Sequence, residues 1–294
     1  MGSNKDVQIG ILEKVRQFSD AIKFQESVFA LPFAYTGMIL STRGFPGWDI
    51  LLWITIAMVS ARTFGMVSNR VIDKEIDKLN PRTQLRHLPQ RILSVADLLI
   101  PGLISLIIFV LCAWQLNYLA LLLSPVALAY LVFYPYTKRF TWASNLLLGW
   151  ALAIAPSAAW IGVTGEYGLE PFLLSLAVAL WAGSFDILYH TQDVDFQRDH
   201  GLYSVAAKFG VHRAFNIAKS MDVFTVLTLV CLGIFMSLHA IYYVGCLAVA
   251  FLLVYKYMLV KPNDLSRLGM AFMRINAFVS TSMLIATILA IVLK

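Results

Sequence analysis

Charge is scarce in this chain. Of 294 residues only 14% are Asp, Glu, Lys or Arg, against roughly 25% in a soluble domain. So few charges cannot coat a water-facing surface, which excludes an ordinary soluble globule and makes lipid the solvent for much of the chain. Cysteine is scarce too. Cys112, Cys231 and Cys246 all lie inside apolar runs, which excludes a disulfide framework and leaves them as packing residues. No stretch is of low complexity, and none has the make-up of a soluble domain. The first apolar run follows a polar, charged stretch of about twenty residues, so no cleavable signal peptide is expected.

What is present is apolar length. Hydrophobic residues make up 59% of the chain and its mean hydropathy is +0.74. A spanning helix needs about 20 mostly apolar residues. Nine runs qualify: 24–40, 50–68, 98–116, 118–136, 143–163, 171–189, 221–238, 240–260 and 269–293. The first is the weakest, since it holds Gln25 and Glu26. The expected fold class is therefore all-α, a polytopic membrane bundle of about nine helices forming one domain over 1–294. Within 1–23, Ile11, Val15, Phe18 and Ile22 recur at helical spacing among Lys14, Arg16 and Lys23, a pattern that fits an interfacial helix.

The net charge of +6 does not point to nucleic acid, because the basic residues gather in alternate connections. Segments 69–97, 137–142, 190–220 and 261–268 hold 14 of the 23, whereas 41–49, 117, 164–170 and 239 hold only Arg43. By the bias of Lys and Arg toward the cytoplasmic side, the N-terminus and the long basic loops are expected in the cytoplasm.

Seven of the chain's 17 acids sit in two clusters, each where a span running inward reaches its end. In the first, Asn69, Asp73 and Asp77 are four apart and stack on one face of a continued helix. Hard oxygen ligands in such a row suit Mg²⁺, which takes carboxylates plus substrate phosphate. Asn80-Pro81 then disfavours further helix, and Arg82, Arg86 and His87 follow in reach of a phosphate. Seven residues before Asn69, on roughly the same face, stands Arg62. A charge at that depth marks a cavity or a partner. In the second cluster Asp186, Tyr189, Asp193 and Gln197 share one face, and Asp195 and Asp199 share another. Periodicity leaves open which face is used. His190 fits a general base, a metal ligand or an ordinary interfacial histidine. Gly201 is expected to end this helix, and 204–209 to form a short surface helix. Two converging clusters would repel each other unless cations neutralised them, as two Mg²⁺ ions bridging to a diphosphate would do.

These residues resemble the UbiA superfamily of intramembrane prenyltransferases over about 23–290. Asn69-x3-Asp73-x3-Asp77 with Asn80-Pro81-Arg82-Thr83 is similar to that family's first Asp-rich motif and its loop, and Asp186-x2-Tyr189-x3-Asp193 to the second. Phe29-Ala30-Leu31-Pro32-Phe33-Ala34 and Tyr134-Pro135-Tyr136-Thr137-Lys138-Arg139 resemble the branch that prenylates 4-hydroxybenzoate and related acids in quinone synthesis. The pattern departs at Gln197, where the family usually has another Asp. The resemblance implies a prenyl diphosphate donor, an aromatic acceptor and Mg²⁺. It implies catalytic duties for Asn69, Asp73, Asp77, Asp186, Tyr189 and Asp193, and metal ligation by Asn69, Asp73, Asp77, Asp193 and Gln197. Arg70, Lys138 and Arg139 are then candidates for the diphosphate and Arg62 for the acceptor carboxylate. Other acceptors, such as a naphthoate, a haem, a chlorophyllide or a glycerol lipid, stay open. A cation-coupled transporter is the different-class alternative. It would place ionisable groups near the midplane, whereas these acids cluster at one face.

Overall fold

The computed structural model describes residues 11–293. Of the segment 1–23, Ile11–Ala21 forms a helix, α1, with the earlier residues outside the described range. It is followed by α2 (Ser27–Thr42), α3 (Trp48–Ile72), the short α4 (Lys74–Leu79), α5 (Val95–Leu116), α6 (Tyr118–Phe133) and α7 (Ser144–Thr164). Then come α8 (Leu169–His190), the short α9 (Val194–Asp199) and α10 (Val205–Phe209), α11 (Val211–Phe235) and α12 (Ala240–Leu259). The short α13 (Leu268–Met270) passes through a π-helical turn, Ala271–Ile275, into α14 (Asn276–Val292). Among the described residues there is no β-strand, and eight helical runs are long and apolar enough to cross a membrane. With the shorter α2, of 16 residues, they match the nine expected spans. The seventh starts ten residues earlier than its apolar run, because Val211–Ser220 carries His212, Arg213 and Lys219 and is helical although it is not apolar.

Two rings of helices share one pair. Helices α2, α7, α8, α11, α12 and α14 pack in sequence and close on α2. One continuous apolar cluster fills that ring, with Phe33, Leu174, Trp181, Phe215, Tyr242 and Val279 almost fully buried. Helices α3, α5 and α6 arch from α2 back to α7 and close the second ring. Its apolar clusters are small, and it encloses a cavity of about 480 Å³.

Small residues let the shared helices approach, as packing in lipid favours. A Cβ on Gly37 of α2 would lie 2.4 Å from the Pro156 carbonyl oxygen of α7. One on Gly149 of α7 would lie 2.3 Å from the Ala179 oxygen of α8. Asn117 makes the one-residue corner between α5 and α6. Its Oδ1 caps α6 at the Ala120 N–H (2.9 Å), and its Nδ2 donates to the Ile161 oxygen (2.6 Å) at the end of α7.

Candidate active site

Helix α3 delivers the first acid row. The backbone ladder runs through it unbroken, with Asp73 N–H donating to Asn69 O (3.0 Å) and Asp77 N–H to Asp73 O (2.8 Å). Asn69, Asp73 and Asp77 therefore stack one turn apart, as the spacing predicts. Asp73 is the hinge between α3 and α4, at φ −93°, ψ 3°, in the sparsely populated bridge region where many active-site residues sit. Asn80 is extended before Pro81 (ψ 121°), and its Oδ1 accepts from the Arg82 N–H at 2.9 Å. This turn sends Arg82 and Arg86 back over the acids.

The second row has the same local form. A short 3-10 turn (Thr191–Asp193) joins α8 to α9, and Asp193 lies at φ −109°, ψ 12°. Each acid row thus bends at one buried aspartate, Asp73 being 2% and Asp193 5% exposed. Gly201, at φ +63°, ends the α9 turn as expected, with the Leu202 N–H reaching back to Gln197 O at 2.8 Å. Ser204 caps α10, the expected surface helix.

Every aspartate of the two rows that lines the site has a cationic or polar partner. Lys138 Nζ donates to Asp73 Oδ2, and Arg139 Nη2 donates to Asp73 Oδ1 at 3.3 Å. Arg86 Nη1 donates to both oxygens of Asp77 at 2.8 and 2.7 Å. Arg82 crosses to the second row, where its Nε lies 2.9 and 3.1 Å from the Asp193 oxygens and its Nη2 2.5 Å from Oδ2. The same guanidinium donates to Tyr189 Oη (3.0 Å) and lies 4.9 Å from that ring's centre. Burial pulls the Arg82 pKa down, but the bonds and charge of Asp193 outweigh it and hold it above its ordinary value. Asp186 accepts from Asn145 Nδ2 at 2.7 Å and meets His190 Nδ1 at 3.0 Å.

Asn145 was not foreseen. It lies four residues before Gly149 on α7, fully buried, and its Oδ1 also accepts from the Val205 N–H at 3.0 Å. Its only signal is an amide in an otherwise apolar helix. Lys23, also unforeseen as a site residue, lines the cavity with its ammonium 5.9 Å from the centre of the Tyr189 ring.

A polar cavity of about 230 Å³ brings these groups together. Its lining includes Arg62, Asn69, Arg70, Asp73 and Asp77 from one side, and Asp186, Tyr189, Asp193 and Gln197 from the other, with Lys138 between. Arg139 is not in the lining and acts through Asp73. Arg70, although it lines the cavity, uses its Nε to hold the Ala21 carbonyl at the end of α1, 2.8 Å away. Gln197 is buried and accepts from Ser204 Oγ at 2.5 Å, whereas Asp195 and Asp199 point to the exposed face. The polar cavity and the apolar one of the second ring share Ala30, Arg62, Met66, Tyr134 and Leu152 as lining. The two are thus contiguous, a charged chamber opening into an apolar one.

The donor chemistry suits a hard divalent cation, being carboxylates with amide oxygens of Asn69 and Gln197 in one buried chamber. Among the described residues no three acidic, His or Cys side chains already converge as a ligand set. Asp73 is instead engaged by Lys138 and Arg139, Asp77 by Arg86 and Asp193 by Arg82.

The fold and this site define a polytopic helical membrane protein with a charged chamber that opens into an apolar one. The family model of the UbiA prenyltransferase family matches residues 30–280, and the chain belongs to that family. A 4-hydroxybenzoate octaprenyltransferase of Francisella tularensis subsp. novicida is 29% identical over 237 residues, covering 81% of this chain and 83% of that relative. The apo structure of a UbiA homologue from Aeropyrum pernix K1 superposes with TM-score 0.83 at 30% identity, covering 90% of this chain and 98% of that one. A UbiA homologue from Archaeoglobus fulgidus, bound to GPP and Mg²⁺, shares the fold at TM-score 0.71 and 18% identity, covering 92% and 99%.

Proposed function

We propose that this protein transfers a polyprenyl group from a prenyl diphosphate to an aromatic acid of the 4-hydroxybenzoate class, in quinone synthesis. The contiguity of the two cavities carries the reading. A diphosphate belongs in the charged chamber and its polyprenyl tail in the apolar one, with the reacting carbon at the shared wall of Arg62, Met66, Tyr134 and Leu152. Relatives named 4-hydroxybenzoate octaprenyltransferases support the substrate class.

When bound, Mg²⁺ would neutralise charge that develops on the leaving diphosphate. Asn69, Asp73 and Asp77 on one side and Asp193 and Gln197 on the other are the residues to hold it. Arg82, Arg86 and Lys138 exchange their carboxylate partners for diphosphate oxygens and stabilise the leaving group through charge-assisted bonds, with Arg139 acting through Asp73. As the allylic C–O bond breaks, the apolar walls keep water from the carbocation. Arg62, at the shared wall, holds the acceptor's carboxylate so that an electron-rich ring carbon faces that cation. The ring carbon attacks and then loses its proton, for which the Asp186–His190 pair in the chamber's lining is the candidate acceptor. The N-terminus and the basic loops face the cytoplasm in this reading, where soluble substrates and Mg²⁺ enter, and the chain acts as a single domain.

Purified protein given Mg²⁺, a polyprenyl diphosphate and a panel of a hydroxybenzoate, a naphthoate and a glycerol phosphate tests the acceptor. Prenylated hydroxybenzoate with equimolar pyrophosphate is the expected outcome. Turnover of only another acceptor would overturn it.

A further inference from the structure

A second charged group lies inside the bundle, outside both cavities. Asp222 of α11 pairs with Lys256 of α12 at 2.6 Å, and both are almost fully buried. Tyr257 donates its hydroxyl to Asp222 Oδ2 at 2.6 Å. Ser184 of α8 closes the set, donating to Asp222 Oδ1 at 2.7 Å and accepting from Lys256 Nζ at 3.1 Å. Lys256 Nζ also lies 4.9 Å from the centre of the Tyr257 ring. Each of these polar side chains is satisfied by the others, and none lines the candidate site.

An ion pair within membrane-spanning helices calls for an account. Stability does not give one, because apolar residues of similar volume in place of a buried pair are often neutral or stabilising. Location does. Ser184 precedes Asp186 by two residues, so it lies about 200° around α8 and about 3 Å along it. The network therefore grips the back of the turn whose front carries Asp186. In front, Asn145 and His190 hold the Asp186 carboxylate at 2.7 and 3.0 Å. Apolar contacts on the back of α8 would let it rotate or slide by small amounts. Directional bonds from two other helices to one hydroxyl fix both its rotation and its height.

We infer that Ser184, Asp222, Lys256 and Tyr257 form a positioning device that locks α8 in the rotation presenting Asp186, Tyr189 and Asp193 to the diphosphate. The inference rests on the reading of the charged chamber as a diphosphate site.

The test compares wild type with Ser184→Ala, Ser184→Thr and the double variant Asp222→Leu, Lys256→Met. Inorganic pyrophosphate binding with Mg²⁺ is measured by calorimetry on detergent-purified protein, beside the thermal midpoint. Spin labels on Lys78→Cys and Gln192→Cys, in a Cys231→Ser background, report the distance between the two acid rows. The double variant is expected to keep or raise its thermal midpoint, weaken pyrophosphate binding about tenfold or more (roughly 1.4 kcal/mol), and broaden the label distance. Ser184→Ala should show the same two defects in smaller measure, and Ser184→Thr should restore them. Unchanged pyrophosphate affinity and an unchanged label distance in a folded double variant would overturn the inference. Should that variant not fold, Ser184→Ala decides by the same readouts. Wild type that binds no pyrophosphate sinks the diphosphate reading, and the label distance alone then decides whether the network positions α8.

Discussion

Arg82→Ala should have opposite effects on two ligands of one site. In the structure Arg82 satisfies both oxygens of Asp193 at 2.5 to 3.1 Å, and its side chain is only 28% exposed. A divalent cation that takes Asp193 alone must displace those bonds and sit beside a guanidinium. Hydrogen bonds to charged groups are worth about 1.5–3 kcal/mol, and each 1.4 kcal/mol is about tenfold in affinity. Partial exposure weakens the repulsion, so the lower half of that range applies. Removing Arg82 should therefore tighten Mn²⁺ binding by about tenfold when no phosphate is present. With pyrophosphate the sign reverses, because the guanidinium becomes a partner of the anion, and pyrophosphate affinity should fall by about tenfold or more. Free Mn²⁺ read by electron paramagnetic resonance, titrated with and without pyrophosphate, separates the two. Mn²⁺ binding to Arg82→Ala that is no tighter than wild type without pyrophosphate would refute the exchange of partners.

One turn beyond the hinge of the second row, Gln197→Asp should keep activity and lower the Mg²⁺ needed for half-maximal rate. Asp195→Ala and Asp199→Ala, on the exposed face, should be mild, and a severe Asp199→Ala defect beside an innocuous Gln197→Ala would show that the other face is used. Gly149→Ala puts a Cβ 2.3 Å from the Ala179 oxygen. It should destabilise by about 1–3 kcal/mol, seen in the thermal midpoint, and lower kcat by moving Asn145 off Asp186. His87 lies below its ordinary pKa of 6.5 because burial disfavours the imidazolium, with Asp20 opposing and Arg70 adding to the shift. The folded state thus prefers neutral His87, so its stabilisation is whole above 6.5 and is lost as pH falls through the lowered folded value. His87→Gln should flatten the fall in thermal midpoint as pH drops below 6.5, and an unchanged slope would contradict this.

The four-residue spacing of Asn69, Asp73 and Asp77, and of Tyr189, Asp193 and Gln197, was legible because helical periodicity fixes which side chains share a face. Their position at one end of the bundle followed from where the apolar runs stop. Periodicity says nothing of partners far apart in sequence, so it could not assign Arg82 to Asp193, 111 positions away. Nor could it choose between Gln197 and the Asp195–Asp199 face, since that choice comes from how α9 packs against Ser204. Nor could it pair Asn145 with Asp186, 41 positions away. The start of α11 was misjudged because hydropathy marks the lipid-facing part of a helix and misses its polar first turns. The apolar cavity has no sequence signal, since it is space left unfilled between α3, α5, α6 and α7, and side-chain pattern does not report unfilled space.

The most direct test of the account is product formation by purified wild type and Asp193→Ala. Each is given 4-hydroxybenzoate and a polyprenyl diphosphate, with Mg²⁺ or with a chelator, and the prenylated acid is quantified by mass spectrometry. Wild type should form it only with Mg²⁺. Asp193→Ala, folded by its thermal midpoint, should lose about 10²-fold or more of the rate, the scale of removing one electrostatic partner of a transition state. Product formed equally well in chelator, or by Asp193→Ala at the wild-type rate, would contradict an active site built from the two acid rows.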